Sequence, residues 1–318
     1  MDNDRAEPVQ EPSDEALRGL GITRERFAEI SASLMAAVAR GEEEKRERRA
    51  ARQRAAVEAS LRAGSPRDRG REKRALAMHW LLMWHHSTPG LIRQHVGIQA
   101  AGYCQQLQDK AKLVTVSKEP SIRGFRLVML NGQGRKLAYD LHPEHEGTYD
   151  TRPSSVNHQT LIHDLAVQQV VLELLQTVPD NGTYQLTRFL PERLIHKKNR
   201  AGIKRPDCLL WDDIDPLPVA LEVERNPKGR GTELDRTLRA AARSIERKLV
   251  REVRFVASRK PVIDTYRKVL SEPLTIWRFD RTARKWVANA QRWHVPEWVQ
   301  ERFVWEVRPT LFDSFLPY

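Results

Sequence analysis

Cysteine is scarce in this chain, and long apolar runs are missing from it. The 318 residues include 2 cysteines, Cys104 and Cys208, each in apolar surroundings typical of a buried thiol. A disulfide framework and a thiolate metal site are therefore not expected. No apolar stretch approaches the ~20 residues of a membrane span, and the acidic start of the chain lacks the basic-then-apolar pattern of a secretory signal. These absences predict a cytoplasmic protein without a membrane partner.

Two common catalytic motifs are also absent. The sequence contains no Gly-x-x-x-x-Gly-Lys-Ser/Thr run, so nothing indicates the use of ATP. Its 10 histidines include no His-hydrophobic-His pair, which argues against enzymes that hold a metal with three histidines. Nucleotide hydrolysis and histidine-based metal chemistry are both disfavoured.

Positive charge is in excess. The chain has 54 Lys and Arg residues against 42 Asp and Glu residues, which gives a formal net charge of +12 at pH 7. Fields of this sign attract polyanions and speed encounters with them. The predicted partner is therefore double-stranded DNA. DNA that also contains a single-stranded stretch is a second form of this prediction. A soluble protein with an incidentally basic surface is the alternative.

Composition divides the chain into four regions. Residues 1–70 are charged and predicted to be partly disordered and partly helical, and a charge run at 42–54 predicts a solvated helix in preference to a DNA-tracking arm. A first domain is predicted at 71–146 and a linker rich in turn formers at 147–162. The second domain, with a Trp-rich C-terminal extension, covers 163–318. With 40% hydrophobic residues, both domains can bury a core.

The first domain shows the pattern of a winged helix, with three helices followed by a β-hairpin. The predicted helices cover 71–90, Leu91–His95 and Ile98–Lys112, and the hairpin strands cover 113–116 and 126–130. In a winged helix the third helix enters the major groove, and the hairpin reaches the backbone or the minor groove. A winged helix that contacts protein is the alternative.

Polar residues of this domain are the candidate DNA contacts. Those predicted to face the groove are Gln99, Gln105, Gln108, Lys110 and Lys112. Those predicted on the wing are Lys118, Arg123 and Arg126.

The rest of the chain alternates between helices and strands, which predicts an α/β domain. The predicted elements are helices at 162–176, 232–250 and 261–270 and strands at 207–211, 219–224, 253–257 and 274–278. The fold class is therefore α/β or α+β, with a winged helix before an α/β domain.

Three carboxylates lie at the ends of two predicted strands. Asp207 begins one strand, and Glu222 and Glu224 end the next. Side chains two apart on a strand share a face, so the two glutamates project together. Clustered carboxylates suit Mg²⁺ or Mn²⁺, and such a metal could activate water against a phosphodiester. Acids that cap turns or pair with arginine are the alternative.

Pro206-Asp207, followed after a short hairpin by Glu222-Val223-Glu224, resembles the PD-(D/E)xK nuclease signature. Lysine normally occupies the last position, where this chain has Glu224. The nearest cation is Lys228, so the resemblance implies a catalytic group of Asp207, Glu222, Glu224 and Lys228.

A wider pattern extends this likeness. The segments HDLAVQQVVLELL, RPDCLLW and ALEVERNPKGRGTELDRTLRA, within residues 75–260, resemble the plasmid replication-relaxation family and the related MobC-type mobilisation relaxases. The resemblance implies a winged helix joined to a restriction-endonuclease-like domain, with Asp207, Glu222 and Glu224 as acidic residues of DNA nicking at a plasmid transfer origin. Other transfer or replication proteins are then further partners. A non-catalytic DNA-binding accessory factor of replication or transfer is the alternative.

Four further features allow two interpretations each. His163 beside Asp164 indicates helix capping and packing, or else substrate positioning. The arginines of 232–250 form a solvated face or contact phosphates. The tryptophans after residue 276 favour core packing over a platform that stacks unpaired bases. Tyr184 is interpreted as a core tyrosine rather than a nucleophile, so hydrolysis by water, without a covalent adduct, is expected.

Overall fold

The structure is a computed structural model in which most of the chain is described. The described residues are 65–119, 126–146, 160–176, 186–195, 205–212, 215–226 and 231–313, with Thr23, Lys228 and Phe315. The chain divides into two compact units, 1–70 and 71–318. The predicted linker at 147–162 falls inside the second unit, and most of it lies outside the described residues. Within the second unit we call residues 71–146 the N-terminal lobe and residues 160–315 the sheet lobe.

The fold is mixed α/β, as predicted. Helix α1 (Pro66–Trp84) leads into a short strand β1 (His86–Ser87) and helix α2 (Pro89–His95). Helix α2 begins two residues before the predicted start, because the Thr88 hydroxyl caps it by accepting the backbone N–H of Leu91 (3.2 Å) and a proline occupies the first turn.

The third helix is shorter than predicted. Helix α3 covers Tyr103–Asp109, not 98–112. Gly97 has a φ of 64°, and Lys112 has a φ of 56° at the other side of the helix. Both values lie in the left-handed region, where the chain cannot continue a right-handed helix, so the helix is confined between these two points.

A small antiparallel sheet completes the N-terminal lobe. Strands β2 (Val114–Lys118) and β3 (Arg126–Leu130) pair as the predicted hairpin, and β1 adds to the other side of β3. The hairpin turn, including Arg123, lies outside the described residues.

Helix α4 (Gly132–Leu141) closes the lobe against the start of this hairpin. The Asn131 side chain accepts the N–H of Gly134 (2.9 Å) and donates to the carbonyl of Lys112 (2.8 Å). A Cβ atom at Gly134 would lie 1.9 Å from the Leu113 carbonyl oxygen. Glycine is therefore required for this close approach.

The sheet lobe begins with helix α5 (Leu161–Gln176) and contains a five-stranded mixed sheet in the order β10-β7-β6-β5-β4. Its strands are β4 (Leu186–Pro191), β5 (Cys208–Asp212), β6 (Val219–Glu224), β7 (Glu252–Ala257) and β10 (Phe303–Val307). The pairs β4–β5 and β5–β6 are antiparallel, whereas β6–β7 and β7–β10 are parallel. Helix α6 (Thr232–Glu246) provides the crossover from β6 to β7.

The strand predicted at 274–278 does not join this sheet. It is part of β8 (Leu274–Asp280), which pairs with β9 (Lys285–Trp293) in a separate two-stranded hairpin. Helix α7 (Lys260–Ser271) precedes this hairpin, and the short helix α8 (Glu297–Gln300) follows it. Strands β4, β9 and β10 are not predicted from the sequence, and neither is β1, whose residues fall in the helix predicted at 71–90.

Two apolar clusters cover the two faces of the five-stranded sheet. On the α5 face, Leu221 and Val223 pack with helix α5 and with the core of the N-terminal lobe. On the α6 face, Ala220 and Phe255 pack with helices α6 and α7. In the described part of the chain, no helix is both long and apolar enough to cross a membrane.

A buried polar network joins the two lobes on the α5 face. Gln168 of α5 is fully buried; its amide nitrogen donates to the His86 carbonyl (3.0 Å), and its oxygen accepts from Ser87 Oγ (2.6 Å) and Trp80 Nε1 (3.3 Å). Arg193, which follows β4, donates to the carbonyls of Met83 and Leu82 at the end of α1. These carbonyls have no partner within the helix, so an arginine from the sheet lobe caps the first helix of the N-terminal lobe.

Candidate functional site

Asp207 lies at the start of β5, beside the end of β6. Its backbone N–H donates to the Leu221 carbonyl (3.0 Å), and its Oδ2 accepts the backbone N–H of Val223 (2.7 Å). Because Cys208 is paired with Leu221 across the two antiparallel strands, Asp207 lies next to Glu222. The two acids are therefore neighbours on adjacent strands, as predicted. One carboxylate oxygen of Asp207, however, is hydrogen-bonded to the backbone of β6.

His163, in the first turn of α5, contacts the same carboxylate. Its Nε2 is 3.1 Å from the Val223 carbonyl oxygen and 3.4 Å from Asp207 Oδ2, and its Nδ1 is 3.5 Å from Asp164 Oδ1. Burial alone would lower the pKa of His163, but its bonds to Asp164 and Asp207 and their negative charges raise the pKa to about 11. The ring is therefore a cation that donates from both nitrogens and orients Asp207.

The two glutamates of β6 project to the α6 face of the sheet. Alternation along the strand places Glu222 and Glu224 on the face of Ala220, which packs with α6 and α7. Glu222 is 3% exposed and Glu224 is 8% exposed. The carboxylate of Glu224 pairs with the ammonium group of Lys228, whose backbone N–H lies 3.4 Å from the Tyr266 hydroxyl.

These placements bear on the predicted metal site. The carboxylates have the chemistry that Mg²⁺ and Mn²⁺ prefer, but Asp207 is held by His163 and the backbone of Val223, and Glu224 is paired with Lys228. Among the described residues, no group of three or more His, Cys, Asp or Glu side chains is placed to hold a metal ion. As placed, the three acids therefore do not form a ligand group, and we derive no reaction step through a metal.

The candidate DNA contacts of the N-terminal lobe are of two kinds. Gln108 is half-buried, and its oxygen accepts the backbone N–H of Val116 (2.6 Å), so this side chain holds α3 to β2. Gln105 donates to Asp109 one turn later (2.9 Å). The candidates with exposed side chains are Gln99, Lys110, Lys112, Lys118 and Arg126.

Residues missed by the sequence analysis include Gln106 and two links between the lobes. Gln106 is exposed on α3, opposite the buried Cys104 and Leu107, and the helical spacing of those two apolar residues identifies its face. Gln168 and Arg193 bond to residues far away in sequence, so local pattern carries no sign of their roles. Tyr184 and Arg123 lie outside the described residues.

The aromatic residues near the C-terminus also divide into two groups. Trp293 and Trp305 pack against the cluster on the α6 face, in agreement with core packing. Trp286 is 38% exposed and Trp298 is 50% exposed. Comparison with protein-family models, with curated proteins and with solved structures finds no match to this chain.

Proposed function

We propose that this chain is a DNA-binding protein whose N-terminal lobe contacts the duplex as a winged helix does. The observation that carries the proposal is the end of the β2–β3 hairpin, where Lys118 and Arg126 are directly paired across the strands and both are exposed. Like charges placed directly opposite each other destabilise a hairpin. A phosphate group bound between them removes this cost, as expected for a wing that contacts the DNA backbone.

Three features support the proposal. Three helices precede the β2–β3 hairpin, with the short strand β1 between the first two, and α3 exposes Gln106 while it buries Cys104 and Leu107; Lys110, just after α3, is also exposed. The chain carries a formal net charge of +12. In a winged helix, polar groups on the exposed face of the third helix would read base edges, while the hairpin cations would bind phosphates.

The test compares salt dependence of duplex binding by the full chain. Each phosphate contact contributes about −0.9 to the slope of log K against log salt, so Lys118→Gln with Arg126→Gln is expected to flatten the slope by about 1.8. Arg267→Gln with Lys268→Gln is the matched control, since both residues are exposed on α7. An unchanged slope in the hairpin variant, or an equal loss in the control, contradicts the proposed wing.

Metal-dependent strand nicking is the second candidate function. It is favoured by Asp207 lying next to Glu222 across β5 and β6, and by the cation Lys228 beside Glu224. Activity of this kind requires the acids to come together around Mg²⁺ or Mn²⁺ when DNA binds. It fits a nickase at a plasmid transfer origin, whereas the observed ion pairs fit an accessory factor that binds the same DNA without cutting it.

A cleavage assay separates these two versions. Supercoiled plasmid carrying the origin is incubated with the full chain and with Mg²⁺, Mn²⁺ or EDTA. A nickase gives open-circular DNA only with metal, loses this activity in Glu222→Gln and keeps it in Glu246→Gln, an exposed glutamate on α6. Duplex binding without open-circular product identifies the accessory factor.

A further inference from the structure

The β8–β9 hairpin exposes two aromatic rings side by side. Phe279 and Trp286 are directly paired across the strands, with ring centroids 5.3 Å apart and an interplanar angle of 64°. Phe279 is 45% exposed and Trp286 is 38% exposed, and neither belongs to the two core clusters. Burial of this aromatic surface would be favourable, so the pair is a surface on which a partner can pack.

A cation covers the Trp286 ring. The guanidinium carbon of Arg236, on the exposed side of α6, lies 3.4 Å from the ring centroid. A planar guanidinium stacked on indole is a flat, positively charged platform.

The hairpin is held in a defined orientation on α6. The buried carboxylate of Asp235 accepts the backbone N–H of Thr275 and the indole N–H of Trp277, both at 3.3 Å. Arg292 of β9 also bonds to the Thr275 hydroxyl. An isolated two-stranded hairpin is only marginally stable in water, so this anchoring to a helix keeps the aromatic pair in place.

The hairpin that carries the aromatic pair is rich in positive charge. Within 274–293 the only acidic residue is Asp280, and its carboxylate accepts the backbone N–H groups of Thr282 (2.9 Å) and Ala283 (3.0 Å) in the turn. The exposed cations of the same segment are Arg278, Arg281, Arg284, Lys285 and Arg292. The occupant of this surface must therefore offer both negative charge and flat apolar faces.

We propose that the β8–β9 hairpin and Arg236 form a second nucleic-acid surface, which binds an unpaired strand by stacking bases on the exposed aromatic rings and holding phosphates with Arg236 and the exposed cations of the hairpin. Bases in a duplex are stacked on each other, so only a single strand can offer their faces. The inference rests on the proposed DNA-binding function for its partner, but it concerns a different surface from the hairpin end at Lys118 and Arg126.

The experiment measures affinity of the full chain for fluorescein-labelled oligo-dT and for a duplex of equal length. Removing one stacking ring, in Trp286→Ala, is expected to weaken oligo-dT binding about tenfold and to leave duplex binding unchanged. Trp286→Phe keeps a ring and should retain most of the affinity. Trp298→Ala is the matched control, since Trp298 is an exposed tryptophan on another element.

A second variant covers the case in which Trp286→Ala fails to fold. Arg281→Gln with Lys285→Gln changes one exposed residue of the turn and the exposed first residue of β9, and it should also reduce oligo-dT affinity, with a flatter salt dependence. Oligo-dT affinity that is unchanged in both variants, or is absent in the wild type, overturns the inference. Heparin, a polyanion without bases, should not discriminate Trp286→Ala from the wild type; an equal loss for heparin and oligo-dT contradicts stacking.

The results also separate this inference from the proposed function. Lys118→Gln with Arg126→Gln should weaken duplex binding and spare oligo-dT. If the wild type binds oligo-dT through the hairpin but does not bind duplex DNA, the proposed function fails and the inference stands. A change from dimer to monomer in Phe279→Ala with Trp286→Ala, without an effect on oligo-dT, assigns the surface to a second copy of the chain and overturns the inference.

Discussion

The two faces of the five-stranded sheet are built differently. The α5 face is continuous with the core of the N-terminal lobe, and its fully buried Gln168 is hydrogen-bonded to residues of that lobe. The α6 face holds the buried acids Glu222 and Glu224, and helix α6 carries the exposed Arg236 and its partner hairpin. One face joins the two lobes, whereas the other holds two buried acids under a helix that carries an exposed arginine and a basic hairpin.

This difference separates residues that stabilise the fold from residues that are available for a ligand. Buried polar groups that bond between lobes contribute to stability, because removing one partner leaves the other unsatisfied. Exposed cations around aromatic rings contribute little to stability and are free to contact a polyanion. Substitutions on the α5 face should therefore change the free energy of unfolding, and substitutions at the surface near α6 should change binding.

The largest effect is expected at Gly134, where the core of the α5 face reaches the N-terminal lobe. A Cβ atom there would lie 1.9 Å from the Leu113 carbonyl oxygen. Because that oxygen belongs to backbone, Gly134→Ala should lower the free energy of unfolding by about 3 kcal/mol or more in urea denaturation. Gly132→Ala is the control, since nothing lies within 4 Å of its Cβ position. Equal stability of Gly134→Ala and Gly132→Ala would show that the close approach of Gly134 to Leu113 does not matter for stability.

Gln168→Leu should have the next largest effect. It leaves Ser87 Oγ, Trp80 Nε1 and the His86 carbonyl without their amide partner in the buried network. The expected loss in the free energy of unfolding is about 2–3 kcal/mol, again from urea denaturation. Gln169→Leu, which removes only a bond to Glu173 (Gln169 Nε2 to Glu173 Oε1) on a half-buried side of α5, should cost about 0.5 kcal/mol. Similar losses in both variants would show that the lobes do not depend on the network.

The pH dependence of stability should come from His86, whose carbonyl belongs to the same network. Burial lowers the pKa of His86 to about 4, which outweighs the opposing effect of the Asp164 carboxylate. Its ring nitrogens have no hydrogen-bond partner among the described residues. In the unfolded chain a histidine has a pKa of about 6.5, so between pH 6.5 and 4 the unfolded state binds more protons and stability falls as the pH falls. The His86 contribution is complete above pH 6.5.

The loss attributable to His86 should reach about 2 kcal/mol at pH 5. Denaturation curves at pH 7 and pH 5 for the wild type and for His86→Gln, which cannot be protonated, measure it. A variant that loses as much stability on acidification as the wild type would place the acid sensitivity elsewhere in the fold.

Local sequence pattern correctly predicts the strands whose own residues carry the signal. Strands β6 and β3 begin and end as predicted, since apolar residues with β propensity fill them and turn formers flank them. Nearness of Asp207 to Glu222 follows from the two strands being joined by a short hairpin. Strand alternation also explains why the two glutamates share a face.

Other features depend on contacts between distant segments. Strand β9 is exposed along nearly its whole length, so it has no alternation to detect, and its hairpin is held by Asp235 of α6. The use of the Asp207 carboxylate depends on His163, which reaches it from α5. The spacing of the acids alone could not test the expected metal site, because nothing in it shows that His163 contacts Asp207 from a helix more than 40 residues earlier.

The smallest stability effect is expected at Arg236. An exposed cation–π contact contributes about 0.5–1 kcal/mol, so Arg236→Gln should reduce the free energy of unfolding by no more than this, far less than Gly134→Ala. The urea midpoint and the affinity for oligo-dT are measured on the same preparation, with Arg247→Gln, an exposed arginine just after α6, as control. Because the Arg236 guanidinium is part of the charged platform on which a base would stack, oligo-dT binding should weaken about three- to tenfold while stability hardly changes. A large loss of stability with unchanged oligo-dT affinity would make Arg236 a structural residue and remove the contrast between the two faces.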